Sequence, residues 1–326
     1  MVSKYKEYLR LGRIFNAEIL ALLYVLSYML ASKLYGSQID YRIIIGLFIA
    51  GVFSHIWGGY NNDRLDLSID KTTDYCSHKP LVSGKIRIRN AKIIEFSILI
   101  FVVLLLLIMS PKISTVGYTF GSVSLAYLYN RFNKSNMFIN IIGQMYATFA
   151  VLIGMSFVID FDYIIFLSGI IMGLNGVYLN IIEADLKDIK GDIVNVPKAL
   201  GLKFKGNKAV NITKFYLLNE IIKITMYLLV LYILYLENVD FIIFFIALIF
   251  FGINFIVRAA MFKKLSSDRE KMKSYTAVQE LTSVLFISII YIIVHPAIPI
   301  IIILLVVIWL ALWNKILWGT YLRPQV

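Results

Sequence analysis

The feature that decides the fold is an acidic stretch, Tyr60-Asn61-Asn62-Asp63-Arg64-Leu65-Asp66-Leu67-Ser68-Ile69-Asp70, which directly follows an apolar run at residues 43–57. Asn62, Asp66 and Asp70 recur every four residues, so in a helix they lie on one face with neighbouring side chains roughly 5 to 6 Å apart. Hard cations such as Mg²⁺ bind carboxylate and amide oxygens of this kind. The stretch therefore predicts a metal site, with Asp63 beside it, at the end of a membrane helix. The alternative is an ordinary solvated helix end.

A second acidic cluster repeats this arrangement. Asp185, Asp188 and Asp192 follow another apolar run, at residues 163–182. One such cluster alone is explained more simply by acids at a solvated helix end. Two clusters at the ends of two membrane helices favour a shared metal site, so we expect both to supply oxygen ligands to Mg²⁺.

Composition places the chain among polytopic membrane proteins. Hydrophobic residues make up 60% of the sequence, charged residues 16%, and the mean hydropathy is +0.79, whereas roughly 25% of residues are charged in soluble domains. Apolar runs of about 20 residues, the length that crosses the hydrocarbon core as a helix, recur along the chain. We predict one all-α membrane domain, residues 1–326, with nine or ten transmembrane helices. The ten candidate runs are residues 14–34, 42–60, 93–110, 113–130, 137–158, 162–183, 213–236, 239–260, 275–294 and 297–317.

The positive charge of the chain is distributed as membrane topology requires. All but four of the 32 basic residues fall in the N-terminal segment, the C-terminal tail and alternate loops. Because cytoplasmic loops of membrane proteins concentrate Lys and Arg, the net charge of +12 indicates topology rather than nucleic-acid binding. We therefore expect no nucleic-acid partner, an integral multi-pass membrane protein with both termini in the cytoplasm, and both acidic clusters at the cytoplasmic face. The exceptions are Lys33, Arg42, Lys112 and Lys223.

Four basic residues are placed where they could bind an anion held by the metal. Arg13 lies at the mouth of the first run, Lys79 lies in the long loop after the first acidic cluster, and Arg131 and Lys134 follow the fourth run. Positive charge in cytoplasmic loops is also expected from topology alone, so each residue keeps that plainer explanation.

A polar stripe, Asn140, Gln144 and Thr148, runs along the fifth apolar run at four-residue intervals. Polar residues inside membrane helices most often form contacts between helices. The stripe could instead line a polar pocket, with Asn140 at the end nearest the acidic clusters.

These motifs together resemble the UbiA superfamily of intramembrane prenyltransferases. Its first signature, Asn-x-x-x-Asp-x-x-x-Asp, is matched at residues 62–70, and its second, Asp-x-x-x-Asp, at residues 188–192. Lys79-Pro80-Leu81-Val82-Ser83-Gly84 is similar to the basic-Pro-x-x-Ser-Gly stretch of the family, and residues 127–134 to its segment of tyrosines and lysine. The motifs cover residues from about 10 to 210, and the rest of the chain agrees by hydropathy only.

The resemblance implies a bundle of transmembrane helices around a central cavity, with the two acidic motifs facing each other under a cytoplasmic cap. It also implies transfer of a prenyl group from a prenyl diphosphate to a small-molecule or lipid acceptor, such as an aromatic quinone precursor, among membrane lipids. Mg²⁺ would be the cofactor, with Asp66 and Asp188 as the catalytic residues. The metal ligands implied are Asn62, Asp63, Asp66, Asp70, Asp185, Asp188 and Asp192. The substrate-binding residues implied are Arg13, Lys79, Arg131, Lys134 and Asn140.

Two features depart from the family pattern. The family usually has one span fewer than the ten runs found here, so either one run does not cross the membrane or the C-terminal run is an addition. The archaeal ether-lipid branch often has an Arg-Glu pair shortly before its second motif, whereas residues 180–183 read Asn-Ile-Ile-Glu.

Two other functions remain open at this stage. The first is a terpene cyclase of the same superfamily, which would trap the cation intramolecularly and need no acceptor. The second is an ion-coupled membrane transporter, because acids within a membrane bundle also form ion pathways. Transporter sites usually lie near the membrane midplane, whereas both acidic clusters here are expected at one face.

The topology is tested with single cysteines placed at Ser83 and Lys205. Both positions lie in loops that the distribution of Lys and Arg assigns to the cytoplasm. We expect a membrane-impermeant thiol reagent, added outside intact cells, to label neither position until the membrane is permeabilised. Labelling of either cysteine in intact cells would contradict this topology.

Overall fold

The computed structural model describes residues 4–72, 76–186, 189, 195–267 and 269–321. These residues form an all-α bundle with a short antiparallel hairpin on one connection. Short 3₁₀ segments span Ile14–Asn16 and Ile289–Ile293, and a π turn spans Asn180–Asp185. The helices and strands are α1 (Lys4–Leu11), α2 (Ala17–Leu34), α3 (Tyr41–Leu65), α4 (Leu67–Asp70), α5 (Ile88–Met109), α6 (Ile113–Phe132), α7 (Met137–Gly143), α8 (Tyr146–Ser156), α9 (Tyr163–Leu179), α10 (Val196–Ala199), β1 (Lys203–Lys205), β2 (Lys208–Val210), α11 (Thr213–Leu236), α12 (Phe241–Ser267), α13 (Arg269–Ser288) and α14 (Ile298–Trp318).

Eight helical segments within the described ranges are long and apolar enough to cross a membrane. The all-α membrane fold predicted from the sequence is therefore confirmed. Two of the ten predicted runs are not among these eight segments. The fourth run forms α6, which carries many Ser, Thr and Gly residues, and the ninth ends in a shorter apolar segment, Val278–Ile293. The number of crossings, nine or ten, thus stays a prediction.

The helix α2 is the most enclosed of the long helices, and α3 and α8 pack closely against it. A side chain at Gly51 of α3 would overlap the backbone of Ala21, and one at Gly154 of α8 would overlap the carbonyl of Tyr24. Small residues allow membrane helices to approach closely where no hydrophobic effect drives them together. These contacts fix α2 beside α3, the helix that ends in the first acidic cluster.

Two of the predicted membrane runs are not continuous α-helices. The fifth predicted run is broken at Gln144 and Met145 into α7 and α8. The sixth run ends in the π turn Asn180–Asp185 rather than as regular α-helix. Single π turns of this kind often mark functional sites. This one directly follows α9 and ends at Asp185.

A buried ion pair joins α11 to α12 away from the acidic clusters. The guanidinium of Arg258 is fully buried and donates to both carboxylate oxygens of Glu220 at 2.9 Å. The side-chain nitrogen of Lys223, also fully buried, donates to Asn175 Oδ1 at 2.9 Å and to Ser283 Oγ at 3.2 Å, which reaches α9 and α13. Buried polar and ionised groups are costly unless they are hydrogen-bonded or paired, so these bonds fix how the four helices pack.

The variant Glu220→Ala should destabilise the protein by about 3 to 5 kcal/mol, because it leaves the buried Arg258 without its anion. The double variant Glu220→Met/Arg258→Met should recover most of that loss, because it removes both charges and keeps apolar volume. Thermal or denaturant unfolding of the purified protein in detergent measures both effects. A double variant as unstable as Glu220→Ala would show that the charges themselves are not what the fold requires.

Candidate active site

A cavity of about 1150 Å³ opens beside the end of α3 and extends into the bundle. Its walls come from α2, α3, α5 and α6, with Tyr146 of α8. Acidic and basic side chains line one end, while residues such as Tyr24 and Val102 line the other. Since Glu95 of α5 bonds to Arg64 at the end of α3, Val102 lies about 10 Å deeper along α5 at 1.5 Å per residue. The cavity therefore runs from a charged mouth to an apolar interior.

The first acidic cluster lines the mouth of the cavity. The backbone N–H of Asp66 bonds to the carbonyl of Asn62 at 2.9 Å, and that of Asp70 to the carbonyl of Asp66 at 2.8 Å. The helical spacing predicted for these residues is thus kept, although α3 ends at Leu65 and α4 begins at Leu67. Asn62, Asp66 and Asp70, together with Asp63, all line the cavity. We call these four residues the acidic row.

Two lysines are paired with the acidic row. The ammonium of Lys79 lies 2.7 Å from Asp70 Oδ2 and 3.5 Å from Asp63 Oδ1. The ammonium of Lys134 lies 3.1 Å from Asp66 Oδ2 and 3.9 Å from Asp70 Oδ1. The three carboxylates are at most 6% exposed. Buried acids at such spacing repel one another, and the lysines offset that repulsion.

Arg13 provides a third cation from the opposite wall of the mouth. One guanidinium nitrogen donates to Asn62 Oδ1 at 2.6 Å and to Asp63 Oδ1 at 2.7 Å. The backbone of Arg13 has φ 50° and ψ 39°, in the left-handed region. Residues other than glycine rarely adopt this conformation, and where they do it is often associated with function.

Burial and neighbouring charges act against each other on the pKa values at the mouth. Burial raises the pKa of the Asp66 carboxyl above its usual value, and the ammonium of Lys134 only partly offsets this. Burial would lower the pKa of the Lys79 ammonium, but the carboxylates of Asp63 and Asp70 outweigh it and the pKa is raised. The lysine therefore stays charged, and the ionised form of Asp66 depends on a nearby cation.

A second set of polar contacts fixes the end of α3 from behind the acidic row. The carboxylate of Glu95, 2% exposed, accepts from Arg64 Nε at 2.5 Å and from Asn61 Nδ2 at 2.8 Å. The Oδ1 atom of Asn61 in turn accepts from Asn130 of α6 at 2.9 Å. Sequence reasoning did not identify this network, because Glu95 lies inside an apolar run and no local pattern pairs it with Arg64.

The second acidic cluster is described only at Asp185, since Asp188 and Asp192 lie outside the described residues. Asp185 is 4% exposed, and its carboxylate accepts from Asn140 Nδ2 at 3.0 and 3.1 Å and from the backbone N–H of Val196 at 3.0 Å. These bonds join α7, the π turn and α10. Asp185 does not line the cavity mouth in this arrangement.

Two of the predicted substrate-binding residues, Asn140 and Arg131, lie outside the lining of the cavity. The polar stripe forms contacts between helices: Asn140 bonds to Asp185, and Thr148 Oγ1 donates to the carbonyl of Gly169 at 3.0 Å. Arg131 is exposed and does not line the cavity, whereas its neighbour Asn130 does. Because successive helical residues are rotated by about 100°, Arg131 points away from the mouth. Contact of either Asn140 or Arg131 with a bound anion therefore stays a prediction.

Several aromatic residues also line the cavity without having been singled out from the sequence. They include Tyr24 of α2, Tyr146 of α8 and Trp318 at the end of α14. Tyrosine and tryptophan are common throughout membrane helices and at their ends, so no local signal separates these three from the others. Only the packing of the helices shows that they face the cavity.

The donor atoms at the mouth suit a hard divalent cation. Asn62, Asp66 and Asp70 present amide and carboxylate oxygens, the ligands that Mg²⁺ prefers. Among the described residues, no three acidic, His or Cys side chains lie close enough together to hold a metal ion as they stand. Each carboxylate is instead paired with a basic side chain, so a divalent cation would compete with Lys79 and Lys134 for the same oxygens.

The sequence of the chain matches the UbiA prenyltransferase family over residues 20–290. That range includes the acidic row, Lys79, Lys134 and the second acidic cluster. No curated protein matches the chain significantly.

Solved structures share the fold at low sequence identity. A digeranylgeranylglyceryl phosphate synthase is 19% identical, with a TM-score of 0.64, over 90% of this chain and 99% of that chain. A UbiA homologue from Archaeoglobus fulgidus bound to DMAPP and Mg²⁺ is 17% identical, with a TM-score of 0.61, over 88% of this chain and 99% of that chain. A UbiA homologue from Aeropyrum pernix K1 is 12% identical, with a TM-score of 0.60, over 86% and 97%. At these identities the likeness concerns the fold alone.

Proposed function

Since the chain belongs to the UbiA prenyltransferase family, we propose that it transfers a prenyl group from a prenyl diphosphate to an acceptor within the membrane, with Mg²⁺ as cofactor. The observation that carries this proposal is that one cavity combines a charged mouth with an apolar interior. A prenyl diphosphate has the same two parts, a charged head and an apolar chain. The head would lie at the mouth, beside the acidic row and its three cations, and the chain would extend toward Tyr24 and Val102.

The site that we propose for the metal is the acidic row, together with the second cluster. Asn62, Asp63, Asp66 and Asp70 would hold Mg²⁺ on one side, and Asp185, Asp188 and Asp192 on the other. Bound Mg²⁺ would neutralise the diphosphate and stabilise the charge that develops as it leaves. Asp66 and Asp188, one from each cluster, are the proposed catalytic residues. A UbiA homologue from Archaeoglobus fulgidus is bound to DMAPP and Mg²⁺, which supports Mg²⁺ as the cofactor and a prenyl diphosphate as the substrate.

The basic side chains at the mouth would change partners when substrate binds. In the free protein, Lys79 and Lys134 neutralise Asp70 and Asp66. With Mg²⁺ held by the carboxylates of the acidic row, the ammonium groups of Lys79 and Lys134 would be available to bind the diphosphate. Arg13 remains close to Asn62 and Asp63 and adds a third positive charge. Charge-assisted hydrogen bonds of this kind are stronger than neutral ones, and they favour departure of the diphosphate.

The reaction then requires a cavity from which water is excluded. The bond between the first prenyl carbon and the diphosphate oxygen breaks, and the bonding electrons leave with the diphosphate. The acceptor nucleophile attacks the allylic cation and afterwards loses its proton. The apolar and aromatic lining of the interior, including Tyr24 and Tyr146, keeps water from capturing the cation first. The proposed acceptor is an aromatic quinone precursor or a lipid, and the site would open to the cytoplasmic face.

Turnover of labelled prenyl diphosphates tests the proposed function directly. Purified protein is incubated with dimethylallyl, geranyl and longer diphosphates and a panel of aromatic and glycerol-phosphate lipid acceptors, with Mg²⁺ or with excess EDTA. We expect an acceptor-dependent prenylated product that EDTA abolishes. Asp66→Ala and Asp188→Ala should each lower kcat by at least about 100-fold, because even partners of metal ligands are worth 10- to 100-fold, while both variants stay folded.

Each alternative gives a different result in the same assay. Product formed equally without any acceptor would indicate a cyclase instead. Full activity in EDTA, or in either aspartate variant, would contradict the two-cluster metal site.

The proposed exchange of partners predicts the kinetics of lysine variants. Lys134→Met and Lys79→Met should each raise the KM for the prenyl diphosphate, or lower kcat, by about tenfold, because a hydrogen bond to a charged group is worth roughly 1.5 to 3 kcal/mol. The KM for the acceptor should change little. The matched control is Arg131→Met, which removes an exposed cation three residues from Lys134. If all three variants behave alike, the effect comes from surface charge and not from contact with the diphosphate.

A further inference from the structure

Two segments outside the residues matched by the family meet at the mouth of the cavity. The helix α1 and the 3₁₀ turn Ile14–Asn16 precede the matched residues 20–290, and α14 follows them. Arg13, the residue that reaches the acidic row from this side, lies between α1 and the turn.

The C-terminal half of α14 is bonded to the chain on both sides of Arg13. The indole N–H of Trp309 donates to the carbonyl of Ile14 at 2.9 Å. A guanidinium nitrogen of Arg10 donates to the carbonyl of Leu317 at 2.5 Å. Residues before and after Arg13 are therefore bonded to the same helix, Arg10 through its side chain and Ile14 through its backbone carbonyl.

Trp318 of α14 also packs against residues on both sides of Arg13. The rings of Phe15 and Trp318 meet edge to face with centroids 5.1 Å apart, and the Arg10 guanidinium lies 5.5 Å from the Trp318 ring. These contacts complete the enclosure of the turn that follows Arg13.

We propose that α14 is a positioning element of the active site and that Trp309 is its principal positioning residue. The left-handed backbone of Arg13 is unfavourable by itself and persists only when its surroundings hold it. The backbone N–H of Arg13 donates to the carbonyl of Arg10 at 3.0 Å, and the carbonyl of Arg13 accepts from the N–H of Asn16 at 3.0 Å. By bonding the carbonyl of Ile14, Trp309 holds this hydrogen-bonded turn against α14. The guanidinium of Arg13 then reaches Asn62 and Asp63. The inference rests on the proposed function in one respect, that a prenyl diphosphate binds at the acidic row.

The neighbouring tryptophan provides a matched control. Trp313 lies one turn along α14 from Trp309, with ring centroids 5.8 Å apart. Its buried indole N–H has no hydrogen-bond partner in the described part of the chain. Neither tryptophan lines the cavity. Replacing either by Phe removes one N–H and keeps an aromatic ring, so the two variants differ mainly in the bond to Ile14.

The experiment is a double-mutant cycle on substrate binding in the full chain. The dissociation constant of geranyl thiodiphosphate, which does not react, is measured by calorimetry in Mg²⁺ for five proteins. They are the wild type, Arg13→Met, Trp309→Phe, Trp313→Phe and the double variant Arg13→Met/Trp309→Phe. Thermal unfolding of each protein in the same detergent confirms that it is folded.

We expect Arg13→Met to weaken binding about tenfold, as for loss of a hydrogen bond to a charged group. Trp309→Phe should weaken it about threefold to fivefold, as for loss of one neutral hydrogen bond, and Trp313→Phe should leave it unchanged. The double variant should bind no more weakly than Arg13→Met alone, because Trp309 acts through Arg13. Such non-additivity is what residues acting through one another show.

Several results would overturn the inference. Equal effects of Trp309→Phe and Trp313→Phe would mean that α14 acts only through general packing, and additive effects in the double variant would mean that Trp309 does not act through Arg13. Normal binding by Trp309→Phe or by Arg13→Met, with a wild type that binds, would overturn the inference and leave the proposed function standing. A wild type that does not bind the analogue in Mg²⁺ would overturn both.

Discussion

Three buried carboxylates at the edge of a membrane cavity are stable only if positive charge lies against them, because burial makes an unpaired ion costly. The acidic row meets this requirement with side chains from three separate parts of the chain. Arg13 comes from the N-terminal segment, Lys79 from the loop after α4, and Lys134 from the loop after α6. The fold therefore has to bring these segments to one point. The bonds of Glu95 to Arg64 and Asn61 hold the end of α3 where they meet.

The same constraint links the resting structure to the proposed chemistry. In the proposed reaction, the cations that neutralise these acids would become available to the diphosphate when the acids hold the metal. No new charge then has to enter the site from bulk solvent except the metal and the substrate themselves. Electrostatic groups that are already in place when charge develops are the usual source of large rate effects in enzymes. In the proposed reaction, the apolar interior of the cavity would hold the prenyl chain away from the charged mouth.

The sequence predicted the parts of this structure that local pattern determines. The four-residue spacing of Asn62, Asp66 and Asp70 predicted one helical face, and the backbone bonds keep that spacing. Proximity of Lys79 and Lys134 to the row was also expected, although their roles stay predictions. Contacts between residues far apart in the chain could not be predicted from local pattern. Glu95 pairs with Arg64 across 31 residues, and whether Arg131 faces the cavity depends on how α6 packs. The sequence left open whether the polar stripe forms contacts between helices or lines a pocket, and the bond between Asn140 and Asp185 depends on the packing of α7 against the π turn.

The central claim is that the acidic row and its cations bind a diphosphate by exchanging partners. The most direct measurement is a structure of the protein with geranyl thiodiphosphate and Mn²⁺ in place of Mg²⁺, with the metal located by its anomalous signal. The account predicts Mn²⁺ on oxygens of Asn62, Asp66 and Asp70, the ammonium groups of Lys79 and Lys134 within hydrogen-bond distance of the diphosphate, and the prenyl chain beside Tyr24 and Val102. A diphosphate bound elsewhere, or lysines still paired with Asp70 and Asp66 in the presence of bound ligand, would contradict it.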